Sequence, residues 1–289
     1  MNTRRAEKTC PPELWVCHLG TLEYRGALAL QERIRAGRQA DELPDVLLTL
    51  EHPPVYTRGR RSAADELSRG EDWYLAQGID IVATDRGGKL TYHGPGQLVG
   101  YPIVRVGDVV AYVRTLERAL VAALGDEQIA ARARPEDGSD FTGVWVGERK
   151  LASIGVHVAR GVTTHGFAVN VENDLRPFEW VLPCGLAGVR MTSIVEEQRT
   201  AGDRLVPQGP AGNELAGQRT AGDRLVPQGP AGNELAGQRL AGDRLAGQMA
   251  RFRGRAAWHL AQALGRRQRL VSLAAIESAL GTPSALQGQ

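Results

Sequence analysis

Two stretches of the sequence combine reactive side chains with residues that control backbone shape. In RGGKLTYHGPGQ, residues 86–97, four glycines and a proline are mixed with cationic and aromatic residues. In PCGL, Cys184 stands between Pro183 and Gly185, a setting typical of a rigid bend. A thiol on such a bend is open to a substrate, whereas a structural cysteine normally sits among apolar neighbours in a regular element. The residues alone leave both a catalytic and a structural role open for Cys184.

The glycine-rich stretch fits neither of two common phosphate-binding motifs. A Walker A loop requires Gly-Lys-Ser/Thr, but Leu90 follows Lys89. A dinucleotide fingerprint requires Gly-x-Gly-x-x-Gly, which the glycines at 94, 96 and 100 do not match. Two interpretations remain. The glycines make the turns of two hairpins, or they let the backbone approach an elongated ligand closely.

A third stretch, RKLASIGVHV, places a cation at the start of an otherwise apolar strand. Lys150 precedes Leu151, and Ser153 and Gly155 are small residues further along the same strand. A lysine at a strand end is usually solvated. These residues by themselves therefore favour no function for Lys150.

These segments are carried by a chain whose pattern predicts mixed α and β structure. Apolar residues at helical spacing predict helices at Thr21–Arg38, Val109–Leu124, Gly254–Leu264 and Ala274–Leu280. Short apolar or β-branched runs predict strands at Val46–Leu50, Ile79–Ala83, Leu98–Val104, Gly143–Val146, Leu151–Val158, Gly166–Val171 and Leu270–Leu273. Because the strands do not alternate strictly with helices, we expect a mixed or antiparallel sheet with helices on one side.

An internal repeat interrupts this pattern. RTAGDRLVPQGPAGNELAGQ occurs at Arg199–Gln218 and again, identically, at Arg219–Gln238, and a shortened copy follows at Arg239–Gln248. Each copy has few apolar residues to offset a backbone ordering cost of about 1–2 kcal/mol per residue. We therefore predict a main domain at 1–196, which contains the three stretches described above, a disordered or loosely ordered insertion at 197–248, and a C-terminal segment at 249–289 that completes the same domain.

Composition restricts the class of protein and of partner. The 289 residues carry 35 basic and 33 acidic side chains, a net charge of +2, which favours neither nucleic acid nor an anionic membrane as partner. The sequence has no run near the roughly 18 apolar residues of a membrane span, and its N-terminus lacks the apolar stretch of a secretory signal. Three cysteines, an odd and sparse set, argue against a disulfide framework and favour the cytoplasm.

Five segments, in order, resemble the lipoyl(octanoyl) transferase family, the lipoate-protein ligase B type of acyltransferase. They are LLTLEHPPVYTRGR, TDRGGKLTYHGPGQLVGYPI, GVWVGERKLASIGVHV, THGFAVNV and PCGL, and they lie between about Leu14 and Glu196. The resemblance implies an α/β fold of the α+β kind, with a mixed sheet and flanking helices like the catalytic domain of biotin and lipoate protein ligases. It is looser after the repeat, which is the main departure from the family pattern.

The resemblance also implies an activity and a set of site residues. The activity is transfer of an octanoyl group from octanoyl-acyl carrier protein to a lysine of lipoyl domains, in 2-oxo acid dehydrogenases and in the H protein of the glycine cleavage system. The catalytic pair is Cys184 and Lys150. The substrate-binding residues are Arg86, Gly87, Gly88, Lys89, Leu90, Thr91, Tyr92, His93, Ser153, Ile154, Gly155, Gly166, Phe167 and Ala168.

A thioester mechanism then needs no cofactor, no metal and no ATP. The thiolate of Cys184 takes the acyl group as a thioester, and the acceptor amine attacks it with Lys150 as base. Two alternatives stay open at this stage. One is an ATP-dependent lipoate or biotin-type ligase on the same fold, which needs no nucleophilic cysteine. The other is a non-catalytic module that binds a carrier protein.

Overall fold

The computed structural model describes residues 11–181, 189–205 and 233–281, with side chains throughout except at positions 64, 202–205 and 233–246. The strands of these ranges are β1 (Glu13–Thr21), β2 (Asp45–Glu51), β3 (Val55–Arg58), β4 (Asp80–Ala83), β5 (Thr91–His93), β6 (Gln97–Ile103), β7 (Gly143–Val146), β8 (Arg149–Ala159), β9 (Val162–Asn170), β10 (Arg190–Met191) and β11 (Arg267–Leu270). The helices are α1 (Tyr24–Gln39), α2 (Glu71–Ala76), α3 (Val109–Gly125), α4 (Arg176–Glu179), α5 (Ile194–Leu205), α6 (Asn233–Ala263) and α7 (Leu273–Ala279).

The strands form one large mixed sheet and one small sheet. The large sheet has the order β10-β8-β9-β6-β2-β1-β11, with β7 also paired to β8. Its pairs β1–β2, β1–β11 and β8–β10 are parallel, and the others are antiparallel. The small sheet has the order β4-β3-β5. This mixed sheet with flanking helices confirms the predicted fold class.

Helices cover both faces of the large sheet, so the prediction of helices on one side is wrong. On one face, α1 packs Leu30 and Ile34 against Leu48 of β2. On the other face, α3 and α6 pack against Leu47 of the same strand. Since successive strand residues point to opposite faces, the unbroken burial of Val46–Leu50 is what a strand covered on both sides requires.

The edge of the large sheet differs from the sequence prediction. β1 was not predicted, and β11 spans Arg267–Leu270 rather than Leu270–Leu273. All four residues of β11 are exposed, so its sequence carries no apolar alternation to detect. Backbone pairing with β1 in parallel register defines the strand instead.

A buried carboxylate connects the C-terminal segment to the rest of the domain. Asp45 accepts hydrogen bonds from Nε of Arg38 and Nε of Arg266, both at 2.8 Å, and from the backbone N–H of Arg105 at 3.1 Å. These three donors come from α1, the turn after α6 and the end of β6. Such a site stabilises the domain only while the charge and its partners are all present.

We expect Asp45→Asn to lower the free energy of unfolding by about 3 kcal/mol, because it leaves two arginines beside a neutral amide. Asp41→Asn is the matched control. Its carboxylate also pairs with Arg38, but its side chain is 74% exposed whereas that of Asp45 is 3% exposed. The control should cost less than about 1 kcal/mol. Urea unfolding measures both, and equal losses would contradict the role assigned to Asp45.

The two ends of the repeat insertion are helical, which its composition did not predict. α5 continues to Leu205 and α6 begins at Asn233, while residues 206–232 lie outside the described ranges. At the base of the insertion, Nε2 of Gln248 donates to Oε1 of Gln198 at 2.8 Å, and Nε2 of Gln198 donates to Oε2 of Glu127 at 3.2 Å. The chain therefore leaves and re-enters the domain at one point.

Because of that common base, we expect the domain to fold without most of the insertion. Replacing residues 202–244 by eight Gly/Ser residues, which reach about 15 Å, closes the gap between α5 and α6. Loop-closure entropy changes by only about 1–2 kcal/mol for such a difference in length. Thermal unfolding should shift by less than about 5 °C, and the shortened chain should keep its catalytic rate. Failure of the shortened chain to fold would show that the repeats belong to the domain.

Candidate active site

A cavity of about 430 Å³ gathers nearly all the residues that the sequence singled out. It lies between the 86–91 segment, the paired strands β8 and β9, and the first turns of α3. Thirteen of the fourteen predicted substrate-binding residues line it, and so does Lys150. These thirteen residues are Arg86, Gly87, Gly88, Lys89, Leu90, Thr91, His93, Ser153, Ile154, Gly155, Gly166, Phe167 and Ala168.

An irregularity in β8 turns Lys150 toward the cavity. Val144 of β7 pairs with Ala152, but the next residue, Trp145, pairs with Lys150, so that Leu151 is an extra residue in β8. Leu151 and Ala152 both pack into the core beside α3. A β-bulge of this kind shifts the alternation by one residue. Lys150 therefore shares a face with Ser153, which an unbroken strand would place on the opposite face.

The side chain of Lys150 is enclosed, with 2% exposure. Its Nζ lies 5.3 Å from the ring centroid of Trp145, a distance at which the ring face attracts a cation. A Cβ at Gly143 would stand 2.9 Å from Cε of Lys150, and φ at Gly143 is +139°. Glycine is therefore required at 143, and its N–H donates to Oε1 of buried Glu117 at 3.1 Å. The expectation that Lys150, as a lysine at a strand end, is solvated is therefore wrong.

Arg86 supports the glycine-rich loop from inside. Its guanidinium donates to the carbonyl of Thr57 at 2.5 Å, to Oγ1 of Thr57 at 2.8 Å and to the carbonyl of Gly87 at 3.1 Å. The residue is 7% exposed. The backbone N–H of Gly87 also donates to the carbonyl of Val156 at 2.9 Å, which fixes the loop to the side of β8. Arg86 thus holds the loop shape while forming part of the cavity wall.

Close backbone packing requires the glycines that line the cavity. A Cβ at Gly155 would stand 2.7 Å from the carbonyl oxygen of Gly87, and a Cβ at Gly166 would overlap the carbonyl oxygen of Gly100. Glycine permits such approaches because it has no side chain. The two residues therefore let the loop and β6 close on β8 and β9, and the cavity is what remains between them.

Tyr92 is the one predicted substrate residue outside the cavity. On β5, Thr91 and His93 face the cavity, and alternation turns Tyr92 away. Its ring packs against those of Tyr56 and Phe178, with centroids 5.5 Å apart in each case. The hairpin interpretation is also wrong, since β5 pairs with β3 in the small sheet whereas β6 pairs with β2 and β9.

Two neutral histidines lie in a hydrogen-bonded group of rings. Nδ1 of His52 faces the carbonyl of Leu22 at 2.6 Å and must donate, so Nε2 accepts from the hydroxyl of Tyr101, also at 2.6 Å. Burial lowers the pKa of His52 to about 4. Burial, together with nearby His52 and Arg86, holds the pKa of His93 well below its usual value. Both rings therefore stay neutral at pH 7.

His165 reaches the same group through an unusual backbone conformation. Its φ is +57°, in the left-handed region that side chains rarely adopt. Its Nε2 lies 2.7 Å from Oδ1 of Asp85, and its Nδ1 lies 3.4 Å from the hydroxyl of Tyr24. Burial lowers the pKa of His165, although the hydrogen bond to Asp85 opposes this effect. Backbone strain of this sort persists where the surroundings hold it, often at functional sites.

Sequence reasoning missed several of these groups. Tyr24 stands in an ordinary helix start and carries no signal. His52 and Tyr101 fall inside segments that resemble the acyltransferase family, EHPP and GYPI, yet nothing in their spacing joins them. A strand pairing that brings β2 beside β6 was needed to place them together.

Cys184 lies outside the described residues, so its predicted place beside Lys150 stays a prediction. Within the described ranges, no group of three or more His, Cys, Asp or Glu side chains is arranged to hold a metal ion. No helix in those ranges combines the length and the apolar character needed to cross a membrane.

The buried histidines predict acid sensitivity. A histidine with a lowered folded-state pKa stabilises the fold fully above its unfolded pKa, about 6.5, and this contribution is lost as pH falls toward the folded value. His52 alone should cost about 3 kcal/mol between pH 6.5 and about 4. We expect His52→Gln to flatten this part of the stability profile measured by urea unfolding. His259→Gln, whose histidine is hydrogen-bonded to Asp126 at the surface, is the control for loss of a histidine outside this buried group. An unaltered slope in His52→Gln would contradict the assignment.

The sequence matches a known family over more than half of its length. The profile of the lipoyl protein ligase A/B catalytic domain matches residues 23–203. An octanoyltransferase of Solibacter usitatus is 51% identical over 172 residues, which cover 58% of this chain and 76% of that protein. An octanoyltransferase of Geobacter metallireducens is 44% identical over 203 residues, 69% of this chain and 88% of that protein.

Solved structures agree on the fold. Lipoate-protein ligase A bound with ATP superposes with a TM-score of 0.64 at 17% identity, over 93% of this chain and 92% of that one. At this identity the likeness concerns the fold alone. The family match and the curated relatives, taken with the shared fold, show that this chain belongs to the lipoyl protein ligase A/B catalytic-domain family, in which the relatives named above are octanoyltransferases.

Proposed function

We propose that this octanoyltransferase moves an octanoyl group from octanoyl-acyl carrier protein to a lysine of lipoyl domains, by way of a thioester on Cys184. Lipoyl domains of 2-oxo acid dehydrogenases and the H protein of the glycine cleavage system are the proposed acceptors. The observation that carries the proposal is the enclosed amine of Lys150 on the wall of a cavity of about 430 Å³. An amine on the cavity wall can exchange a proton with a bound substrate, whereas a solvated amine at the surface cannot.

The chain on either side of Cys184 supports its pairing with Lys150. Met191 of β10 pairs with Lys150 in parallel register. Cys184 stands seven positions before Met191, a reach of at most about 25 Å. On the other side, Val181 packs with Phe178 in the aromatic core under the small sheet, beside the glycine-rich loop. Each attachment adjoins a residue that lines the cavity, Lys150 for Met191 and Leu90 for Val181.

The walls of the cavity suit a medium-length acyl chain. Leu90, Ile154, Phe167 and Ala168 line it, and they offer a linear hydrocarbon apolar contact. Burying seven CH₂ or CH₃ groups at about 0.8 kcal/mol each contributes about 5–6 kcal/mol before ordering costs. Binding of the acyl chain therefore needs no charged group along its length.

The chemistry proceeds in two transfers. The thiolate of Cys184 attacks the thioester carbonyl, and a new carbon–sulfur bond forms as the bond to the phosphopantetheine sulfur breaks. The leaving phosphopantetheine thiolate takes a proton from the Nζ ammonium of Lys150, which becomes neutral. The acceptor lysine amine then attacks the Cys184 thioester and loses a proton to the Nζ of Lys150 in its neutral form. The amide forms and the thiolate of Cys184 is released. Since a thioester already activates the acyl group, these two transfers require no ATP, cofactor or metal. We place the enzyme in the cytoplasm as part of the same proposal.

A donor comparison tests this function. The enzyme is mixed with an unmodified lipoyl domain and either octanoyl-acyl carrier protein, or free octanoate with ATP and Mg²⁺. Mass spectrometry of the lipoyl domain then reports octanoylation. We expect modification with the carrier protein alone. Modification only with octanoate and ATP would favour the ligase chemistry, and none in either mixture would contradict the function.

A further inference from the structure

The cavity has an exposed part and a buried part. Val109 and Val110, in the first turn of α3, are 42% and 68% exposed. Tyr24 and Tyr101 are each 3% exposed, and His165 is 1% exposed. All five residues line the cavity. A flexible chain that enters through the exposed part therefore meets, in the buried part, a wall of three rings.

Hydrogen bonds hold this wall rigid. The hydroxyl of Tyr101 donates to His52 at 2.6 Å, and His52 is itself fixed on the carbonyl of Leu22. The ring of His165 is fixed by Asp85 at 2.7 Å, and its backbone N–H donates to Oε1 of Gln31, also at 2.7 Å. A side chain whose ring and backbone are both hydrogen-bonded cannot rotate to admit a longer ligand without losing buried hydrogen bonds.

Strand register places the wall at a defined distance from Lys150. Across β6, β9 and β8, Val99 pairs with Ala168 and Ala168 pairs with Ser153. The next row on the same face, about 7 Å further from Lys150, contains Gly166 and Gly155, which are paired with each other. The carbonyl of Gly87 closes on this second row. Tyr101 follows Val99 by two residues on β6 and so lies on the same face in this second row. Ala168 therefore stands one row before the wall.

We propose that Tyr24, Tyr101 and His165 are specificity-determining residues that fix the longest acyl chain this enzyme accepts, and that the small side chain of Ala168 keeps the row before them open. The inference rests on the proposed octanoyl transfer and adds to it the residues that select chain length. None of the four residues is assigned a role in bond making.

Two opposite changes test the wall. The full chain is assayed with acyl carrier proteins that carry six to twelve carbons, and kcat/KM is measured for each. We expect Tyr101→Phe to raise the decanoyl-to-octanoyl ratio about tenfold, the scale on which a pocket discriminates a methylene, and Tyr24→Phe to move it in the same direction. Ala168→Val should lower the octanoyl-to-hexanoyl ratio about tenfold by overfilling the row.

Tyr112→Phe is the matched control, because it removes a buried hydroxyl from a residue of α3 that does not line the cavity, and it should leave both ratios unchanged. Thermal unfolding of each variant separates loss of fold from a change in selectivity. A higher decanoyl-to-octanoyl ratio in Tyr101→Phe together with a lower octanoyl-to-hexanoyl ratio in Ala168→Val supports the proposed role of the wall. Unchanged ratios in folded variants, with normal octanoyl transfer by the parent enzyme, overturn it. Absence of transfer at every chain length in the parent enzyme overturns the proposed function itself.

Discussion

Replacing Cys184 by alanine is expected to lower the rate of octanoyl transfer by at least about 10³-fold, the scale found when a covalent nucleophile is removed. The physical reason is that no other group on the proposed path can carry the acyl chain as a thioester. A radiolabelled or mass-resolved transfer assay with an unmodified lipoyl domain measures the loss. Thermal unfolding should change little, because a small side chain is exchanged for a slightly smaller one.

Cys17→Ala is the control for this result. Cys17 is buried in the core between the sheet and α1, and burial raises the pKa of its thiol to about 11. A thiol of that kind is a poor nucleophile at neutral pH. The control should therefore keep normal transfer. Loss of activity in Cys17→Ala with full activity in Cys184→Ala would reverse the assignment.

Replacing Lys150 by methionine is expected to lower the transfer rate by about 10²–10⁴-fold, the range that a positioned acid–base group contributes. Methionine keeps most of the side-chain volume in the enclosed space beside Trp145 and Gly143, so the fold should survive. Pre-steady-state measurement of the acyl-enzyme and of the octanoylated lipoyl domain separates the two transfers. The second transfer should show the larger loss, because the acceptor amine depends on Lys150 to take its proton.

Arg149→Met provides a matched change at the adjacent position. Arg149 pairs with Glu197 of α5 at 2.8 Å, away from the cavity, so its loss should affect stability slightly and the transfer rate less than about twofold. Equal rates in Lys150→Met and Arg149→Met would contradict a catalytic role for Lys150.

Sequence reasoning located the cavity residues but could not orient them. Arg86–His93, the predicted residues of β8 and β9, and Lys150 were all singled out, and all of these except Tyr92 line one cavity. The orientation of Lys150 depends on the bulge at Leu151, which no residue type in RKLASIGVHV indicates. Tyr92 was included because neighbouring residues resemble a substrate loop, whereas strand alternation directs its ring into a different core.

Residues far apart in the sequence escaped prediction for a related reason. The wall of Tyr24, Tyr101 and His165 and the buried Asp45 site both combine residues from different elements. Only the order of strands in the sheet brings these groups together. The left-handed backbone of His165 adds a second obstacle, because histidine carries no sign of that conformation in the sequence.

The positions of the helices around the sheet were also difficult to predict from the sequence. The apolar run Val46–Leu50 correctly predicts a strand, and its burial on both faces requires helices on two sides of the sheet. A prediction of helices on one side overlooks that the run has no polar alternation. The mixed character of the sheet was nevertheless predictable, since strands and helices do not alternate strictly along the chain.

Intact mass spectrometry of the enzyme after mixing with octanoyl-acyl carrier protein tests the central claim most directly. The account predicts a single octanoyl adduct that maps to Cys184, is removed by hydroxylamine and disappears when an unmodified lipoyl domain is added. An enzyme that octanoylates the lipoyl domain without ever carrying the adduct, or that carries it at another residue, would contradict the account.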